Sequence, residues 1–320
     1  MSDAPPVEAR GLVKRYGELV AVDHVDLTVA AGDVYGFLGP NGAGKTTTLR
    51  MMLGLIRPSE GGVTLFGLDP VVDGARALAG VAGFVEGPRF YPYLNGRKNL
   101  ELLAAYDRLD AGTREIDEVL DVVELRDRAK DKVGGYSHGM RQRLGIAASL
   151  LRRPKLLLLD EPATGLDPAG MRDMRALVRR LADNGMTVLL SSHLMSEVEE
   201  LCNRVAIIGR GSIIREAKLA DLLQTAGGRY RLESTDPATA QLVLARQTGV
   251  REVLVSADAV EFDAAPEVVA RVSIALGAAG VGIFSLAPLG SSLEQLFLRL
   301  TEGELPAVER APLVAVEEVA

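Results

Sequence analysis

Residues 33 to 55 read DVYGFLGPNGAGKTTTLRMMLGL: an apolar run, a glycine-rich turn, then a helical pattern. The central GPNGAGKT, Gly39 to Thr46, has the spacing of a nucleotide phosphate loop, with both glycines, the lysine and the threonine in place. Gly39, Gly42 and Gly44 free the backbone so that N–H groups can wrap phosphates, with Asn41 and Thr47 in the same turn. Lys45 is placed to meet the β and γ oxygens, and the Thr46 hydroxyl to help hold magnesium. A strand feeding such a loop, and a helix leaving it, implies an α/β domain with a largely parallel sheet.

Two more apolar runs end in polar groups. KLLLLDE, residues 155 to 161, ends at Asp160 and Glu161, and TVLLSSH, residues 187 to 193, ends at His193. Carboxyl ends of strands in open α/β sheets are where ligands bind. Asp160 is expected to orient a metal-bound water, Glu161 to polarise an attacking water, and His193 to reach the same place. Alone, each would be an ordinary strand end; the phosphate loop in the same domain reverses that reading.

From about residue 7 to 216 short apolar strands alternate with helical segments, interrupted by a helical insert at about 87 to 152 that contains LNGRKNLELLAAYDRL and TREIDEVLDVVEL. VAIIGRGSIIRE, residues 205 to 216, reads as a closing hairpin through Gly209 and Gly211. The expected division is a nucleotide-binding domain over 1–220 and a small α+β domain over 221–303. In the latter, strand and helix patterns follow the ferredoxin-like order. A last amphipathic helix, SSLEQLFLRLTEG, opens with a capping box at Ser291. Its Leu293, Leu296 and Leu298 are expected to pack on their own sheet or to form a subunit contact. Residues 304–320 are expected to form a disordered tail.

Composition sets the outer limits. The 320 residues carry 36 Lys and Arg against 43 Asp and Glu, a formal net charge of −7, which argues against a general nucleic-acid binder. No run reaches the roughly 18 apolar residues of a membrane span, and MSDAPPVEAR lacks the character of a signal peptide, so an intracellular protein is expected. The single cysteine, Cys202, excludes an internal disulfide and reads as a small buried thiol.

A second anion site is suggested by GGYSHGMRQRLGIA, residues 134 to 147, where Ser137 and Gly139 open a helix with no acidic residue nearby. Ser137 can equally cap its own helix. With the phosphate loop, the two carboxylates and His193 in this order, residues 7 to 216 resemble the ATP-binding subunit of ABC transporters. The resemblance implies that YSHGMRQR is the family's signature motif and that two chains pair head to tail. The phosphate loop of one chain and the signature helix of the other then sandwich each ATP, which explains two phosphate sites in one chain. It also implies that TGLDP, with Asp167, contacts the other subunit, and that His193 meets the γ-phosphate or the attacking water. Tyr16 in KRYGELVAVDHV is the ring that stacks on adenine, or else an ordinary strand aromatic.

Two departures from the family pattern stand out. The commonest signature is leucine-serine-glycine-glycine-glutamine; here Tyr136, His138 and Met140 occupy three of those places, and His138 is expected to face solvent. Glu86 stands where the family usually has a glutamine contacting magnesium and water, so Glu86 joins Thr46 and Asp160 as a candidate metal group. That glutamate, and the FYPYLNGR that follows it, resemble a branch of ABC-2-type exporters that includes antibiotic-resistance ATPases. Phe90, Tyr91 and Tyr93 are three of only seven Phe and seven Tyr. They form either local core or a patch that receives a short helix of a membrane partner. The resemblance implies an ATP- and Mg2+-dependent ATPase, dimeric, peripheral on the cytoplasmic face of the membrane, driving separate polytopic permease subunits and binding no nucleic acid. The alternatives are a soluble ABC ATPase acting on nucleic acid or ribosomes, and an ATP-dependent regulatory module.

Overall fold

In the computed structural model, residues 4–109, 112–226, 228–256, 258–289, 293–294 and 296–297 are described. The chain begins with β1 (Val7–Tyr16) and β2 (Leu19–Val29), then β3 (Val34–Leu38), α1 (Lys45–Met52) and β4 (Glu60–Thr64). Sequence alternation predicted one largely parallel sheet from residue 7 onward. Instead β1, β2 and β4 form their own antiparallel sheet in the order β2-β1-β4. Their pairings carry register shifts, Gly61 lies close against Gly11 O, and the three strands contact α1.

The chain continues through β5 (Val81–Phe84), α2 (Gly96–Tyr106), α3 (Thr113–Val122), α4 (His138–Leu150), β6 (Leu156–Asp160), α5 (Pro168–Asp183), β7 (Thr187–Ser192), α6 (Met195–Leu201), β8 (Arg204–Gly209) and β9 (Ser212–Lys218). A second sheet has the order β5-β6-β7-β3-β8-β9, parallel throughout except for the β8–β9 hairpin. Every residue of β3, β6 and β7 is buried, as expected for parallel strands covered on both faces. Because β3 and β6 both flank β7, the register pairs Leu38 with Ser192 and Asp160 with Ser191. This brings the phosphate loop, the two carboxylates and His193 to one edge.

Helices α2, α3 and α4 follow β5 in the chain and pack against one another. Tyr136 is buried there, its hydroxyl donating to Arg128 O at 2.7 Å. Gly96, at the start of α2, lies so close that a Cβ would stand 2.5 Å from that hydroxyl oxygen.

After α7 (Leu219–Ala226) come β10 (Gly228–Ser234), α8 (Pro237–Ala245), β11 (Arg251–Val255), β12 (Val260–Ala264), α9 (Pro266–Ala278) and β13 (Ile283–Pro288). Their antiparallel sheet runs β11-β12-β10-β13 and buries its own cluster around Leu232, Phe262, Val272 and Leu276. The last described residues do not pack on that sheet. Leu293 and Leu296 belong to the same buried cluster as Val198, Leu201, Leu219 and Leu222, and the Leu293 N–H donates to Glu199 Oε1 at 2.6 Å. The expectation of packing on the small sheet is corrected for these two leucines. Ser291, Leu298 and the tail at 304–320 lie outside the described residues. Cys202 is buried as expected, and burial pushes its thiol pKa up.

Candidate functional site at the carboxyl edge of the parallel sheet

Helix α1 begins at Lys45 with Gly44 in the left-handed region at φ 104°, and no side chain caps it. In contrast, α2, α4 and α5 are capped by Asn95, Ser137 and Asp167. The first turn of a helix leaves N–H groups without intrahelical partners, so the uncapped α1 presents them, with the positive end of its dipole, to an anion. Gly44 admits no side chain: a Cβ would lie 2.5 Å from Ala21 O. Asn41 and Gly42 are exposed at the rim of the loop, and Thr47 is half-buried on α1.

Lys45 is buried, and its Nζ donates to Gly39 O at 2.6 Å and Pro40 O at 3.2 Å and stands 3.1 Å from Glu161 Oε1. Thr46 Oγ1 donates to Asp160 Oδ2 at 2.9 Å. Glu161 sits at φ 49°, a strained conformation for a non-glycine residue that ends β6 and turns its carboxylate toward Lys45. The other carboxylate oxygen, Oε2, accepts from Thr164 Oγ1 at 2.6 Å and lies 2.6 Å from His193 Nδ1. Burial raises the pKa of this carboxyl, but donation by Thr164, Lys45 and His193 outweighs it and leaves Glu161 below its ordinary value. An ionised carboxylate oriented by three donors can direct a water molecule and take up its proton.

Sequence reasoning missed two side chains here. Ser191 is fully buried, donates Oγ to Asp160 Oδ1 at 2.6 Å and accepts from the Glu161 N–H at 3.0 Å, so one hydroxyl orients both acidic residues. Thr164 was read only as part of TGLDP. The signal was present in both cases, as a hydroxyl beside His193 and one three residues after Glu161, but its meaning depends on strand order.

Glu86 is differently placed from its expected role. It lies at φ 65° after β5, and its backbone N–H, not its carboxylate, reaches Asp160 Oδ2, at 3.4 Å. The carboxylate is ion-paired with Arg50 of α1, which offsets the negative charge that a glutamate adds near phosphates. Among the described residues no group of three or more His, Cys, Asp or Glu could hold a metal by itself. The hydroxyl–carboxylate pair of Thr46 and Asp160 fits a magnesium ion that takes its other ligands from phosphates and water.

Tyr16 ends β1 with its ring about half exposed and the Lys14 ammonium 5.1 Å from the ring centroid. Ser137 caps α4 by accepting from the Met140 N–H at 3.2 Å. Ser137, Gly139, Met140, Leu166 and Asp167 line a hollow of about 320 Å³ between the starts of α4 and α5. His138 lines it too. It is exposed, as expected, and its Nε2 also lies 3.1 Å from Thr164 O. Met140 packs partly buried on the core below. A larger hollow, about 730 Å³, opens beside Ala31, Gly80, Lys155 and Thr187 at the opposite edge of the sheet, remote from these groups.

A phosphate loop, a hydroxyl–carboxylate pair and a donor-held glutamate at one sheet edge define a P-loop nucleotide hydrolase. Residues 22–164 match the family described as ABC transporter. The chain is 40% identical to the ABC transporter ATP-binding protein YhcH of Bacillus subtilis, over 95% of this chain and 99% of that one. It is 39% identical to the bacitracin transport ATP-binding protein BcrA of Bacillus licheniformis (79% and 83% covered). It is 35% identical to the daunorubicin resistance ATP-binding protein DrrA3 of Streptomyces coeruleorubidus (94% and 97%). Among solved structures, a dimeric ATP-binding cassette in a post-hydrolysis state, bound to ADP and Pi, superposes with a TM-score of 0.59. It is 26% identical, over 67% of this chain and 98% of that one. The protein belongs to the ABC transporter ATP-binding family, and it is the ATPase of a transporter. The reading as a soluble ATPase of nucleic acid or ribosomes is not favoured. Among the described residues no helix is long and apolar enough to cross a membrane.

Proposed function

We propose that the protein is the ATPase subunit of an ABC-2-type exporter, peripheral on the cytoplasmic face of the membrane, and that two copies close head to tail around two ATP. The observation that carries this is the separation of two phosphate-facing helix starts. Uncapped α1 lies beside Lys45, Asp160, Glu161 and His193, whereas α4 opens onto its own hollow beside Asp167. An ATP held by α1 alone would leave its γ-phosphate half solvated, and the α4 start of a second copy supplies the missing donors.

In this reading Gly39, Asn41, Gly42, Gly44, Lys45, Thr46 and Thr47 cradle the phosphates, Tyr16 stacks on adenine, and Ser137 and Gly139 of the second copy close over the γ-phosphate. Thr46 and Asp160 would hold a magnesium ion, which when bound would supply charge neutralisation on the phosphates. Glu86 acts there through its backbone while its carboxylate stays with Arg50. Lys45 leaves Glu161 for the phosphates. Glu161, still oriented by Thr164 and His193, then aims the water and accepts its proton, and His193 contacts the γ-phosphate.

Residues 1–220 form the cassette, with the helical insert at 87–152. The unit at 221–303 is of ferredoxin-like type, supported by its β-α-β-β-α-β order and its strand order β11-β12-β10-β13. Tyr91 and Tyr93, both exposed with ring centroids 5.8 Å apart, form the surface that receives the membrane partner. Asn99 holds that loop in shape, accepting from the Tyr91 N–H at 2.8 Å and donating to Tyr91 O at 3.1 Å. An antibiotic or another hydrophobic compound as cargo is supported by the names of the bacitracin and daunorubicin relatives. The test is purification of the tagged protein from detergent-solubilised native membranes with mass spectrometry of what accompanies it. A stoichiometric polytopic membrane protein is expected, and recovery on ribosomes or nucleic acid instead would overturn the transport assignment.

A further inference from the structure

His138 stands where α4 meets the loop that follows Glu161. Its Nε2 lies 3.1 Å from Thr164 O, and its ring lies over Gly165, where a Cβ would be 3.6 Å from the imidazole Cδ2. A carbonyl oxygen only accepts, so Nε2 must carry the proton. One turn further along α4, the buried Gln142 amide lies 3.4 Å from the same nitrogen, and its Oε1 has no hydrogen-bond partner. Turning that amide over gives the Nε2–H a second acceptor and satisfies the buried oxygen. The same end of the Gln142 amide lies near Gly87, directly after Glu86, where a Cβ would stand 3.8 Å from it. Thr164 in turn donates its hydroxyl to Glu161 Oε2 at 2.6 Å. A run of contacts therefore leads from Gln142 through His138 and Thr164 to Glu161.

We propose that His138 is a positioning residue for hydrolysis: by holding the Thr164 carbonyl from α4, it keeps the Thr164 hydroxyl on Glu161 and so keeps that carboxylate aimed. This rests on the head-to-tail reading above, in which α4 closes over one ATP while Glu161 of the same chain serves the other. His138 then makes the aim of Glu161 in one site depend on the seating of α4 in the other. Any side chain of similar bulk would fill the space; only a donor reaching the carbonyl does this.

The test compares His138→Leu, which keeps bulk without a donor, with His138→Gln, whose amide can donate to the same oxygen, and pairs the first with Thr164→Val. We expect His138→Leu to lower kcat roughly tenfold while KM for ATP changes less than about twofold. His138→Gln should recover at least about half of the wild-type kcat, and adding His138→Leu to Thr164→Val should cost little more than Thr164→Val alone. Wild-type kcat in His138→Leu, equal loss in the Leu and Gln variants, or additive losses in the double variant would each overturn the proposal. Gel filtration of Glu161→Gln with ATP separates the two readings. A chain that stays monomeric overturns the head-to-tail dimer and with it this coupling, whereas a normal dimer with additive losses overturns the role of His138 alone.

Discussion

Thr46 Oγ1 donates to Asp160 Oδ2 at 2.9 Å, joining the phosphate loop to the end of a strand 114 residues later in the chain. The contact is possible because β3, which feeds the loop, and β6, which carries Asp160, lie on either side of β7. Hydroxyl and carboxylate are thereby set as neighbours, which would lower the ordering cost of binding the magnesium ion proposed there.

Replacing Asp160 with Asn removes the charge but keeps an acceptor for Ser191 and Thr46. We expect ATP turnover to fall on the order of 100-fold and the stimulation of nucleotide binding by magnesium to disappear. Titrating ATP with and without magnesium checks this, and undiminished magnesium dependence in the variant would exclude Asp160 from the metal site.

Glu161→Gln should retain nucleotide binding, lower turnover by a factor on the order of 10² to 10³, and accumulate an ATP-bound dimer on gel filtration. The same variant reports on pH. Folding lowers the Glu161 pKa, so the wild-type carboxylate contributes stability that is present above its unfolded value and is lost as pH falls through the folded one. Thermal midpoints of wild type and variant, compared from neutral pH down to the acid range, should therefore converge as the pH drops. A gap that is constant with pH would rule out this contribution.

Gly44→Ala should be more damaging than its single methyl suggests. The residue has φ 104° and a Cβ would stand 2.5 Å from Ala21 O, so strain and collision act together. A loss on the order of 2–3 kcal/mol in unfolding free energy is expected, with nucleotide binding lost in parallel. Denaturant melts and equilibrium binding measure both, and an alanine variant of wild-type stability would show that β2 yields readily at this point.

Changing Tyr91 and Tyr93 together to Ser should leave the ATPase rate of the isolated protein within about twofold, because neither ring touches the nucleotide groups. Co-purification with the membrane subunits should fall at least about tenfold, since exposed aromatic pairs commonly anchor interfaces. Retention of the membrane partner at the wild-type level would remove this patch from the docking surface.

The phosphate loop, Asp160, Glu161 and His193 were legible because each ends an apolar run whose type is plain from composition. What joins them was not. Ser191 orients both acids only because β6 and β7 are neighbours in register, and Glu86 turns to Arg50 only because α1 passes beside the end of β5. The contact that exposed His138 makes was not legible because the carbonyl it meets lies 26 residues away in the chain. The antiparallel sheet carried a signal that went unread: along the end of β2 Val25, Leu27 and Val29 are buried while Asp26 and Thr28 are not, the alternation of a strand with one covered face rather than the continuous burial of β3, β6 and β7. The amphipathic character of the last helical pattern announced an apolar face without saying which surface would cover it.

Leu293 and Leu296 have a practical consequence for anyone cutting this chain. A fragment ending after Pro288 keeps every group assigned to the nucleotide yet discards two leucines from the cluster that α6 and α7 help to form, and one ending after residue 220 loses Leu222 as well. Burying each is worth roughly 1.5–3 kcal/mol, and Glu199 would lose the N–H that it holds. Helix α6 begins two residues after His193, so the wound would open directly behind the catalytic edge. A shortened cassette would thus report the kinetics of an injured protein, and slow turnover in it would say little about the intact one.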